Sequence, residues 1–154
     1  MGEPRWLNER EAQVWKKYRD LRRDLQSAQD RQLLRDSGLS GADYALLVPL
    51  SEAPDGLMRS RDLGLEVGWE RSRLSHQIIR MEKRGLVTRE VCVDDARGAM
   101  VRLTAPGRAA IEGAAPAHVE TVRRCFFDPL TSAEVETMGI LMDKMLDALS
   151  QENQ

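Results

Sequence analysis

Between Arg71 and Lys83 the chain sets out side chains suited to donating hydrogen bonds: Ser72, Arg73, Ser75, His76, Arg80 and Lys83. At about 100° per residue, Ser72, His76, Arg80 and Lys83 share one side of a helix with Arg73 at its edge, while Leu74, Ile78 and Met81 gather opposite. Hydroxyls, an imidazole and long cations on one face fit phosphate oxygens and base edges. A merely solvated helix would mix charge signs on that face, whereas Glu70 and Glu82 fall towards the apolar flanks. The same inventory argues against catalysis. There are two histidines in the chain, His76 and His118, and no glycine-rich phosphate loop, HExxH or Ser/His/Asp constellation. His118 and Cys125 share a helix face but stand about 10 Å apart along its axis, too far to clasp one metal unaided. No catalytic residue, cofactor or metal is expected, and an enzyme is not.

The donors need elements to hold them. Glu70 to Arg84 reads as a helix stopped by Gly85. Before it, Ser60 is a candidate N-cap for a short helix carrying Leu63 and Val67, with Gly64 opening space for a neighbour and Gly68 permitting a tight turn. Two helices joined by a short glycine turn form a helix-turn-helix, whose second helix enters the major groove. Behind it, Leu86 to Val93 places Val87, Val91 and Val93 in phase, and Ala99 to Leu103 alternates too. Asp94-Asp95-Ala96-Arg97-Gly98 between them is turn composition, so the pair reads as a hairpin, a wing. Arg97 at its tip is placed for a minor groove, with Asp95 orienting the guanidinium. Cys92, flanked by Arg89 and Arg102, is either a redox-sensing thiol or a plain small side chain.

The run SRLSHQIIRMEKRGLV followed by a D-x-R-G turn resembles the multiple-antibiotic-resistance regulator (MarR) family of winged-helix transcription factors, and the resemblance covers nearly the whole chain. It implies a mainly α (α+β) fold and an obligate homodimer bound to pseudo-palindromic double-stranded operator DNA, acting as a ligand-responsive repressor. The peroxide-sensing branch keeps its reactive cysteine near the start of the first long helix; this chain has none there. The junction of the long helices with the winged unit is where the resemblance puts a small aromatic or amphipathic effector, and Trp15, Tyr18, Tyr44 and Trp69 are the aromatics available to line it.

Charge is distributed to suit that reading. The chain of 154 residues has net charge −2, yet residues 59–108 hold 11 basic and 7 acidic side chains, a local +4. Such a module supports specific rather than indiscriminate DNA binding. Neither a membrane-spanning run nor a signal-peptide core is present, so a cytoplasmic protein without membrane partners is expected. Two cysteines without CxxC spacing give no disulfide framework.

The flanks carry seams. Asn8 and Glu11 form a capping box for a helix to about Leu34, stopped by Ser37-Gly38, with Val14, Tyr18, Leu21, Leu25 and Ala28 stepping 4-3-4-3. Ser40 with Asp43 caps the next helix, which Pro49 should kink or end early. Thr104 opens a long helix that Pro116 should bend, and Thr131 with Glu134 caps the last, which lines up Val135, Met138, Met142, Met145 and Leu149. Expected organisation is thus one domain over 1–154, with dimerisation helices at 7–35 and 105–150 around a DNA-binding lobe at 39–104. A helical dimerisation module whose winged domain docks protein is the competing reading.

Overall fold

The computed structural model describes residues 2–91 and 98–153; the expectations for Cys92, Val93, Asp95, Arg97 and the rest of the turn at 94–97 lie outside the described residues. In chain order the elements are α1 (Glu9–Ser37), α2 (Gly41–Glu52), β1 (Leu57–Arg59), α3 (Ser60–Val67), α4 (Arg71–Lys83), β2 (Val87–Val91), β3 (Ala99–Leu103), α5 (Ala105–Val122) and α6 (Ser132–Glu152). Antiparallel strands pair in the order β1-β3-β2, giving the mainly α, winged helix-turn-helix class that the pattern implies. Two compact units are distinguished, Met1–His118 and Val119–Gln154.

All three capping boxes form, at Asn8/Glu11, Ser40/Asp43 and Thr131/Glu134, each cap side chain and the acid three residues on satisfying one another's backbone N–H. Thr104 caps α5 through its hydroxyl, which accepts from Gly107 N at 3.0 Å. The core of the first unit joins Leu33 of α1, Leu46, Leu47 and Leu50 of α2, Leu63 of α3, Met81 of α4 and Val87 and Val101 of the sheet, all fully buried. Each such side chain contributes roughly 1.5–3 kcal/mol of burial. Gly107 marks a tight approach: a Cβ there would lie 2.0 Å from the Leu86 carbonyl oxygen, so α5 starts directly against the turn after α4.

Local sequence pattern and structure part at several points. Pro49 does not end its helix, which continues to Glu52. A proline costs the bond its own N–H would make, but later residues still donate, and burial of Leu46, Leu47 and Leu50 outweighs that loss. Ser60 is the first residue of α3 rather than its cap; Arg59 occupies the cap position without a side-chain bond. Strand β1, three residues long, is too short to show a period and exists because β3 supplies its partners, Leu57 opposite Arg102 and Arg59 opposite Met100. Val91 does not share the burial of Val87: it is 76% exposed, because β2 runs out past the core. α5 passes through Pro116 to Val122 and is followed by a π-helical turn at Arg123–Phe127.

Candidate nucleic-acid interface

The turn before α4 is built by Gly68, whose φ of +69° is left-handed, and by the Trp69 N–H, which donates to the Gly64 carbonyl at 3.1 Å. Gly64 itself gives α4 room, since a Cβ there would meet Leu74 Cδ2 at 3.3 Å. α4 then buries Leu74, Gln77, Ile78 and Met81. Its other face leaves Ser72, Arg73, Ser75, His76, Arg80 and Lys83 all exposed. Arg80 and Lys83 also fall in the last turn, where cations complement the helix dipole. Gly98, at the described end of the wing, is half-buried.

The orientation of that face is fixed by a buried carboxylate. Asp43, 2% exposed, accepts from Gln77 Nε2 at 2.7 Å, from Arg84 Nη1 at 2.5 Å and from the Ser40 N–H at 2.9 Å. Arg84 Nη2 also donates to the Gly38 carbonyl at 3.2 Å. Gln77 and Arg84 are seven residues apart, about 10 Å along the axis, so the start of α2 grips α4 at two points. Sequence reasoning found Asp43 only as a cap. The missed signal was Gln77, an amide set among Leu74, Ile78 and Met81, because a polar group in a seam demands a buried partner.

One further pair ties the wing to α4 and a second joins its two strands. Arg89 of β2 donates to Glu82 of α4 through Nη2 at 2.9 Å, and Arg102 of β3 forks onto Glu90 of β2. Arg89 holds the Glu82 carboxyl below its usual range, and Arg102 does the same to Glu90. The two arginines expected beside Cys92 are therefore already engaged. Cys125 is free and exposed. Among the described residues no group of three or more His, Cys, Asp or Glu could hold a metal ion.

The four aromatics fall into three separate contacts. Trp15 and Tyr18 lie 5.2 Å apart on α1, Tyr44 packs on His118 at 4.2 Å, and Trp69 lies beneath the Arg73 guanidinium. Burial raises the Tyr44 hydroxyl pKa and lowers that of His118, whose Nδ1 is buried without a hydrogen-bond partner. The seam residues are open on both flanks: Val14, Tyr18 and Leu21 on α1 and Met142, Met145 and Leu149 on α6 are 41–59% exposed. Leu25 and Met138 are half-buried.

Neither a family model nor a curated protein matches the chain. Solved structures do. A MarR family transcriptional regulator from Streptomyces coelicolor, crystallised in complex with DNA, is 40% identical with a TM-score of 0.91, over 97% of this chain and 93% of that one. AbsC, a MarR family transcriptional regulator from the same organism, is 36% identical with a TM-score of 0.89, over 96% and 99%. A Mycobacterium tuberculosis transcriptional regulator in complex with DNA is 27% identical with a TM-score of 0.69, over 87% and 96%.

Proposed function

Because this chain belongs to the MarR family of transcriptional regulators, we propose that it binds double-stranded DNA as a homodimer and reads sequence with the exposed face of α4. The observation that carries this reading is the division of that helix. Leu74, Gln77, Ile78 and Met81 anchor it in the core, and six hydrogen-bonding side chains are left outside. Ser72, Arg73, Ser75, His76, Arg80 and Lys83 supply base and phosphate contacts. Arg97 and Gly98 of the wing, with Asp95 as its orienting carboxylate, add a clamp. The role is recognition, not catalysis, and its setting is the cytoplasm. No helix among the described residues is long and apolar enough to cross a membrane.

Exposed apolar stripes on α1 and α6 support the homodimer, since a water-facing row of Met, Leu, Tyr and Val needs a cover. Helices at 7–35 and 105–150 carry that role, and 39–104 the DNA contact. A two-fold dimer places its reading helices about 34–36 Å apart, one turn of duplex, so the operator is a pseudo-palindrome. An effector belongs to the same reading: the half-buried Tyr44–His118 ring contact, with a buried imidazole nitrogen that lacks a partner, supports a small aromatic or amphipathic ligand.

Selecting bound sequences from random duplex DNA with the purified protein tests the proposal. It should return a two-fold symmetric site whose affinity falls steeply with salt as phosphate counterions are displaced. A shallow salt dependence without sequence enrichment would overturn it in favour of a protein-docking wing. Phenolic and aromatic acids titrated into the preformed complex test the effector; none altering affinity or melting temperature removes it.

A further inference from the structure

The arginines around α4 are held in two different ways. Arg84 is tied to Asp43, Arg89 to Glu82 and Arg102 to Glu90. A carboxylate tether cancels the charge and occupies the guanidinium fork, so these three serve the fold. Arg73 has no carboxylate partner among the described residues; its guanidinium carbon sits 4.1 Å from the centroid of the Trp69 ring. Indole is the strongest natural π face for a cation, and it holds one without neutralising it or using its N–H donors, which radiate in the guanidinium plane. Trp69 is itself well held. Its N–H closes the turn onto Gly64, and its ring packs, partly buried, against the core. Arg73, one helical turn on, is exposed.

We infer that Trp69 is a positioning residue for DNA binding, a neutral platform that pre-orients Arg73 while leaving its full charge and all its donors for a phosphate or base edge. The inference rests on the DNA-binding reading and deepens it. Ordering a long flexible side chain before contact removes an entropy cost otherwise incurred at the interface. The ring's work is directional, so it differs in kind from the charge it supports.

A double-mutant cycle on the full-length protein, measured against its selected duplex across a salt series, separates the two. Trp69→Leu should weaken binding about 3- to 10-fold with the salt slope unchanged, because the charge count is unchanged. Arg73→Ala should weaken it further and lower the slope by about one. In the Arg73→Ala background Trp69→Leu should add nothing, whereas with Arg73 present Trp69→Phe, a weaker π face, should lose measurably less affinity than Trp69→Leu. A residue that only supports the fold would weaken binding equally in both backgrounds, and that result overturns the inference. So does a Trp69→Leu variant with wild-type affinity. Melting temperatures verify folding; if the leucine variant is unfolded, Trp69→Met, apolar and without a π face, carries the cycle, with an affinity loss independent of Arg73 again counting against the platform. Wild-type protein that binds no duplex refutes the DNA-binding reading itself, and the platform with it.

Discussion

α4 and α6 are both amphipathic helices, and their apolar stripes look alike in sequence, yet they end in opposite circumstances. α4 buries Leu74, Ile78 and Met81, and even its one inward amide, Gln77, finds a buried carboxylate. α6, at 21 residues the longer of the two, has no buried residue at all. Ile140, Leu141, Met142, Met145, Leu146 and Leu149 are all exposed along it. The difference lies in what covers the stripe. α4 is covered by its own unit, so its outer face is free to be polar and specific. α6 leaves its apolar face exposed, which is what the proposed dimer requires of it.

The sharpest way to break that contrast is to charge the uncovered face. Met142→Asp should cost about 3–5 kcal/mol of association, because the carboxylate would be buried unpaired at the dimer seam. Sedimentation equilibrium should show the monomer mass at micromolar concentration, with the melting of the first unit little changed. A Met142→Asp protein that stays dimeric would remove α6 from the interface. Loosening the anchorage of α4's inner side works on the other half of the contrast. Arg84→Met leaves Asp43 buried with two donors instead of three, a loss of about 1.5–3 kcal/mol for a bond to a charged group. Denaturant unfolding should show it as a lowered midpoint at constant slope, while the dimer constant stays put. An unchanged midpoint would mean that the Arg84 pair is too well solvated to matter.

That split also explains what could be read in the sequence. Cap boxes at Asn8, Ser40 and Thr131 and the Leu74-Ile78-Met81 stripe were legible because caps and helical periods are local. β1 was not, since a three-residue strand is specified by its partner β3 rather than by itself. Of the kink or early end expected at Pro49, the early end does not occur, because the proline's penalty is local while the burial that overrides it is tertiary. At the interface, the exposed donors of α4 followed from the helical wheel. The Asp43–Gln77–Arg84 node did not, as it joins residues 34 and 41 positions apart. Of the four aromatics, Trp15 and Tyr18 meet on α1 while Tyr44 and Trp69 make their ring contacts with His118 and Arg73, partners that composition alone does not name.

α4's outer face gives a smaller, more selective effect. Arg80 stands opposite the buried seam, where a base contact discriminates by about 1–3 kcal/mol. Arg80→Ala should therefore reduce affinity for the selected operator while leaving random duplex nearly unaffected, and unfolding should be unchanged because the side chain is exposed. Arg97→Ala should weaken both duplexes and lower the salt slope by about one, as expected for a charge in a degenerate groove. Operator and random-DNA titrations at several salt concentrations give both quantities. If Arg80→Ala spared the operator preference and Arg97→Ala abolished it, reader and clamp would be exchanged.

The smallest effect tests the interior on which the contrast depends, because two buried polar atoms, Gln32 Oε1 and His118 Nδ1, lack the partner that Asp43 enjoys. His118 packs on Tyr44, its Nδ1 is buried and unpaired, and burial lowers its pKa from the usual 6.5. Above that pH the imidazole is neutral in both folded and unfolded chains, and its titration takes nothing from stability. As the pH falls through 6.5, the unfolded chain accepts a proton that the folded chain resists, so stability declines until the folded pKa is passed. Glu82 and Glu90, whose pKa values are lowered from 4.5 by their arginines, act in the same direction but only from about that pH downwards. Between pH 7.5 and 5 the decline should therefore be traceable to His118, and His118→Phe, which keeps an aromatic ring against Tyr44, should flatten it. Melting temperatures of the two proteins across that window provide the check. A slope that survives the substitution would mean that His118 is hydrated or paired in solution, and that this corner is not the dry site its geometry describes.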